Sequence, residues 1–188
     1  MELQHLIARL FVDGDLKLDP ARCVPLFHSW VARQSLPETL IDVAELLHVP
    51  DGPGVIVVGH EADYALDHTG GRWGVLYRRK TTFDGTNAER IVQALNAAAA
   101  VAALIEAAFP GEFAVGRREF ELIVNDRALA SNTPEAFDAA KGDLEKGVRE
   151  FLQNEAFQLE PQGGDPRRRF AVTVRTAKPF RIPSPAAA

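Results

Sequence analysis

Apolar residues fall along this chain at two spacings, and the switches between them mark its elements. Leu6–Val12 (LIARLFV) is a strand-length apolar run closed by the turn formers Asp13, Gly14 and Asp15. Leu26, Phe27, Trp30 and Val31 then recur at helical spacing and form one stripe. Pro25 is tolerated only in a first turn, so this helix starts near Arg22–Val24 rather than at Asp19. Thr39–Val49 alternates in its first half, with Ile41, Val43 and Leu47 facing one way. Asp51–Gly54 breaks the chain, and the β-branched run Val55–Val58 reads as a strand, so the two runs predict a hairpin. A second turn over Asp67–Gly71 and a third strand over Trp73–Thr82 complete an expected three-stranded meander from Thr39 to Thr82.

Thr86 and Glu89 have the spacing of a capping box and open an alanine-rich helix from Asn87 to about Ala108, stopped by Pro110 and Gly111. Phe120–Val124 is the next strand, ending at Asn125 and Asp126. Asn132 with Glu135, or Thr133 ahead of Pro134, caps a helix with a stripe of Phe137, Leu144, Val148 and Phe151. Phe157–Leu159 and Phe170–Val174 predict a final hairpin around Gln162–Asp165. From Lys178 the proline-rich end predicts an extended or disordered tail.

This order of elements predicts a single α+β domain over residues 1–177, with an antiparallel or mixed sheet and three helices, followed by a tail over 178–188. It also suggests an internal pseudo-repeat. A β-α-β-β order runs over residues 6–58 and again over 120–174, within halves 1–82 and 113–177 joined by the alanine-rich helix 87–108. In that scheme Val55–Val58 matches Ala171–Val174. Side-chain identity between the halves is low, and strand–helix–strand–strand is a common way to cover a sheet face.

Composition narrows the class. The chain has 188 residues, 46% hydrophobic and 25% charged, which is globular and large enough to bury a core without staples. Cys23 is the lone cysteine and no CxxC pair exists, which fits a reducing compartment and makes the cytoplasm the expected location. Glu2, Arg9 and Asp13 interrupt the N-terminal region too often for a signal peptide, and Ala97–Ala108 is too short to span a bilayer, so no membrane partner is expected. A net charge of −5 weighs against a general nucleic-acid binder. No cofactor fingerprint is complete.

Candidate chemistry concentrates between His48 and Lys80, which hold three of the five histidines. If the strand after Val58 stays regular, Glu61, Asp63 and Asp67 share one face, and His60 and Tyr64 share the other with Ile56, Val58 and Leu66. His60 is then partly buried, which favours the neutral imidazole of a base or a metal ligand. The candidates are therefore His60, Glu61 and Tyr64 for catalysis, Arg78, Arg79 and His48 for ligand binding, and His60 with Asp63 as weaker metal ligands. A purely structural alternative is the stronger reading of the pattern. A four-residue loop at His68–Gly71 sets Glu61 opposite Arg78 and His60 opposite Arg79, as ordinary cross-strand pairs of about 0.2–1 kcal/mol. The basic runs Arg78–Lys80 and Arg167–Arg169 read as solvated or ion-paired in an acidic protein.

These observations favour a non-catalytic binding or assembly module, self-associating through a sheet edge or the alanine-rich helix. The alternative is a small-molecule enzyme or metal-binding protein with its site around His60, Glu61, Asp63 and Arg78. A third idea is a single-strand nucleic-acid binder using Arg78–Lys80 with Trp73 and Tyr77 for stacking.

Overall fold

Among the described residues, eight strands and three α-helices make up the fold: β1 (Leu6–Val12), α1 (Cys23–Arg33), β2 (Leu40–Leu46), β3 (Gly54–Gly59), β4 (Ala62–Asp67), β5 (Gly74–Arg79), α2 (Asn87–Ala108), β6 (Val115–Val124), α3 (Pro134–Phe151), β7 (Phe157–Pro161) and β8 (Ala171–Thr176). The computed structural model describes residues 1–163, 165 and 167–182. All eight strands join one antiparallel sheet in the order β2-β3-β4-β5-β1-β6-β8-β7. The α+β class with three helices is thus as expected, and the sheet is antiparallel throughout.

Local signals explain the helix boundaries. Asp19 accepts from the Ala21 amide and starts a 3-10 turn that leads into α1, while Gln34 closes α1 in the left-handed region at φ 50°. Thr86 and Glu89 form the full capping box of α2, and the Thr133 hydroxyl accepts from the Ala136 amide to cap α3.

Sheet alternation puts Leu6, Ala8 and Leu10 of β1, Tyr64 and Leu66 of β4, Val75 and Tyr77 of β5, and Phe120 and Leu122 of β6 into one core with helix residues. Phe27 and Trp30 of α1, Ile91, Leu95 and Ile105 of α2, and Leu144 and Val148 of α3 pack into it. By length and composition α2 is apolar enough to cross a membrane, and here it lies over β1 and β5 beneath α3, its alanines allowing close approach. The opposite sheet face carries Ile7, Arg9, Ala65, Leu76, Glu121 and Ile123, flanked by loop residues Pro53, Thr69, Gly70, Arg168 and Arg169.

Two expectations are corrected. The meander has four strands rather than three, because the run from Val55 to Asp67 turns back at His60 and Glu61. Gly59 permits that turn, since a Cβ there would run into the Ala62 carbonyl oxygen. A register shift between Leu40 and Asp42 leaves Ile41 as a bulge, 56% exposed, instead of sharing a buried face with Val43. With Asp42 and Glu45 also exposed on β2, this edge carries features that blunt strand pairing with another chain.

The sheet order does not match the two halves strand for strand: β8 pairs directly with β6, whereas β3 is separated from β1 by β4 and β5. What the halves share is coarser, in that β2 and β7, each the first strand after its helix, are the two edges. Residues 178–182 follow β8 as non-regular chain anchored by Phe180, which is 4% exposed, donates its amide to the Arg117 carbonyl at 2.7 Å and packs edge-on against Phe120. Residues 183–188 of the expected tail lie outside the described residues.

Candidate functional site

Neighbouring residues of β4 and β5 point to opposite faces, and this divides the expected cluster. The register pairs Asp63 with Arg78 and Ala62 with Arg79. It is two positions away from the pairing of Glu61 with Arg78, because six residues, His68–Trp73, rather than four connect the strands. A two-residue slip preserves the faces and changes the partners.

Asp63, buried on the open face, accepts from Arg78 Nε at 3.2 Å and from Arg78 Nη2, from Lys80 Nζ at 2.8 Å and from the Gly59 amide at 3.3 Å. Burial works against ionisation there, but the hydrogen bonds from Lys80 and Arg78 hold the carboxyl below its usual range. With four donors on its two oxygens, Asp63 has little capacity left for a metal ion.

His60 stands on the β3–β4 turn with its side chain 71% exposed and Nδ1 3.5 Å from Glu61 Oε1, so the expected partial burial does not occur. Glu61 accepts from the Thr39 amide at 3.0 Å, and this bond is the main reason its carboxyl lies below the ordinary range. His48 is exposed at the opposite end of β3. Among the described residues, no three His, Cys, Asp or Glu side chains are grouped to hold a metal ion. Burial pushes the Cys23 thiol up to about 12, which leaves it inert as a nucleophile.

Tyr64 and Arg79 belong to the helix side. Tyr64 donates its hydroxyl to Glu38 Oε2 and Tyr77 donates to Glu38 Oε1 at 3.3 Å, while Gln93 Nε2 donates to the Tyr77 hydroxyl at 2.9 Å. Arg79 Nη1 lies 3.8 Å from Glu38 Oε1 and its guanidinium covers the Phe83 ring. Burial pushes both phenols up from their ordinary value. Tyr77 is fully buried, so it offers no ring for base stacking, and Trp73 stacks on His68 with centroids 4.4 Å apart.

The residues that define a cavity are mostly others. Arg9 lies at the centre of β1, only 7% exposed, and crosses the open face over Gly74, where a Cβ would stand 2.7 Å from the Leu10 carbonyl oxygen. Its Nη2 donates to the Thr69 carbonyl at 2.8 Å and to the Arg72 carbonyl, and lies 2.9 Å from Asp67 Oδ2. Its buried Nε has no hydrogen-bond partner among the described residues. Burial lowers the Arg9 pKa, and Asp67 and Glu121 counter it. Across the strand pair stands Glu121 of β6. No hydrogen bond to the Glu121 carboxyl is formed among the described residues. Burial raises its pKa, against the pull of Arg9, Arg169 and Arg72.

Between them opens a cavity of about 380 Å³ with a floor of Ile7, Ile56, Ala65, Leu76 and Ile123. A broader hollow of about 940 Å³ adjoins it, sharing Glu121, Ile123, Arg168 and Arg169 and reaching Arg127 and Arg167. Six arginines and four carboxylates line the two. Arg9 pairs with Asp67, Arg78 with Asp63, and Arg167 with Asp165 at 3.0 Å. Arg127, Arg168 and Arg169 have no carboxylate within ion-pair distance among the described residues, so the hollow is locally cationic in a chain of net charge −5. Of the sequence candidates, Asp63 and Arg78 reach this cavity, while His60, Glu61, Tyr64, Arg79 and His48 do not line it.

A signal for the missed residues exists in the sequence: Arg9 is the single charge in the run Leu6–Val12 and Glu121 the single charge in the run Phe120–Val124, and a charge among apolar neighbours needs a partner or a purpose. No family model, curated protein or solved structure matches this chain.

Proposed function

We propose that the chain is a non-catalytic binding module that takes a small organic anion, a carboxylate, sulfonate or phosphate with an apolar body, into the open face of its sheet. The observation that carries this reading is the cavity: an apolar floor beneath Arg168 and Arg169, which have no carboxylate within ion-pair distance among the described residues. The aliphatic floor suits the body of such a ligand, and Arg168 and Arg169 suit its charged end, where planar guanidinium forks match two oxygens at once. The expected site around His60 and Glu61 has no comparable support, since both lie on an exposed turn.

Isothermal calorimetry with phenylacetate and toluenesulfonate tests the proposal. Both probes should bind, and the double variant Arg168→Ala/Arg169→Ala should bind about tenfold or more weakly, the scale of one lost charge-assisted hydrogen bond. Wild-type protein that binds neither probe, or a double variant that binds both unchanged, overturns it.

A further inference from the structure

Resting on the proposed binding of an organic anion, we infer that Glu121 engages the ligand as a carboxylic acid: its hydroxyl donates to an anionic oxygen of the ligand, so the anion and one proton are taken up together. Glu121 stands where the two hollows meet and lines both. The neighbouring groups with partners direct them elsewhere, and neither the unpartnered Arg9 Nε nor Arg168 hydrogen-bonds the Glu121 carboxyl among the described residues. Opposite on β1, Arg9 directs Nη2 to Asp67, Thr69 and Arg72. Opposite on β8, the Thr173 hydroxyl accepts from Gln162 Nε2 at 2.7 Å. Arg72 donates to Glu119 at 2.7 Å and lies over the Phe11 ring, and Arg169 donates to Asn125 at 3.0 Å. Among the described residues the protein therefore supplies the half-buried Glu121 carboxyl with nearby charge and no hydrogen bond, which leaves it open to a ligand atom.

The charges decide which form of Glu121 a bound anion favours. An anion held by Arg168 and Arg169 beside Glu121 repels a carboxylate and accepts a hydrogen bond from an acid. The proton comes from solvent on binding and returns to it on release. No histidine lines either hollow among the described residues. The remaining carboxylates face cations, Asp63 with Arg78 and Lys80, Asp67 with Arg9, and Asp165 with Arg167. Glu121 is the lining group whose charge the ligand changes. Because binding favours its protonated form, affinity is highest at pH below the free protein's Glu121 titration and falls as pH rises through it, by up to about tenfold per pH unit.

Toluenesulfonate is the deciding probe, because its own charge is constant from neutral pH down through the carboxylate range. Calorimetry in buffers of different ionisation enthalpy should show proton uptake by the wild-type protein approaching one per bound anion, with affinity falling as pH rises. Glu121→Gln, which keeps a donor and cannot titrate, should bind with the low-pH affinity at every pH and take up no proton. Its fold is checked by thermal melting, and if it does not fold the wild-type proton count decides alone. Binding without proton uptake, or affinity that is flat or rises with pH, overturns the acid role of Glu121 and leaves anion binding standing. Absence of toluenesulfonate and phenylacetate binding at every pH overturns both.

Discussion

The two faces of the β4–β5 strand pair receive their polar groups from adjacent residues and treat them differently. On the helix side, Tyr64 and Tyr77 close on Glu38, Gln93 closes on Tyr77, and α2 lies above. On the open side, Asp63 and Asp67 take up Arg78, Lys80 and Arg9, yet the Arg9 Nε, the Glu121 carboxyl and the guanidinium of Arg168 find no partner among the described residues. A buried network that satisfies its own members specifies packing. One that leaves donors and charge unanswered beside an apolar floor has capacity for a guest. That difference supports the proposed binding on the open face.

The sharpest way to break this comparison is to remove one partner of the open-face ion pair. Asp67, 1% exposed, is the carboxylate nearest to the Arg9 guanidinium. Asp67→Ala leaves Arg9 buried without its counter-charge and should destabilise the fold by about 3–5 kcal/mol. Urea unfolding with an unchanged m-value measures this directly. The double variant Arg9→Met/Asp67→Ala, which removes both charges, should recover a large part of the loss, because an apolar replacement of a buried pair is often close to neutral. A loss below about 1 kcal/mol for Asp67→Ala would mean that water already solvates Arg9, and the contrast between the faces would fail.

The helix-side network yields a smaller effect of a different kind. Tyr64→Phe removes the hydroxyl donated to Glu38 and leaves a buried carboxylate short of one donor, at a cost of about 1–3 kcal/mol. Tyr77→Phe should cost a similar amount, since its hydroxyl joins Glu38 to Gln93. If the groups act as one closed unit, the double variant should depart from the sum of the singles by at least about 0.5 kcal/mol in a double-mutant cycle. Strict additivity would show that Glu38 serves two independent contacts.

How much of this was legible in the sequence follows the range of each interaction. Thr86 with Glu89 and Thr133 with Pro134 are local signals, and they placed the starts of α2 and α3. The turn at His60 and Glu61 has no local signal, because Gly59-His60-Glu61 carries no Asn-Gly or Asp-Gly signature and apolar residues on both sides make Val55–Asp67 read as continuous. Asp63 and Arg78 were found as candidates, but their pairing depends on the length of the His68–Trp73 connection. Arg9 and Glu121 are far apart in sequence and become neighbours only because β1 lies between β5 and β6. The same topology brings Arg168 and Arg169, which read as solvated charges, to the mouth of a cavity.

The smallest expected effect concerns His60, a candidate for both catalysis and metal binding by sequence pattern. A histidine held partly buried beside Tyr64 would lose stability on truncation, and one that acts as base or ligand would carry function. On the turn, His60 has only a long contact to Glu61, and the amide contact that ties this turn to Thr39 comes from its backbone, through His60 N–H to the Thr39 carbonyl at 2.8 Å. Truncating the side chain leaves that bond in place. His60→Ala should therefore change stability by no more than about 0.5 kcal/mol, as surface substitutions away from special backbone and buried polar groups do. It should also leave toluenesulfonate affinity unchanged, because the side chain is not among those lining the cavity. A shift of more than about 1 kcal/mol in urea unfolding, or a tenfold change in affinity, would return the β3–β4 turn to the centre of the molecule's chemistry and remove the open face's claim to be its binding surface.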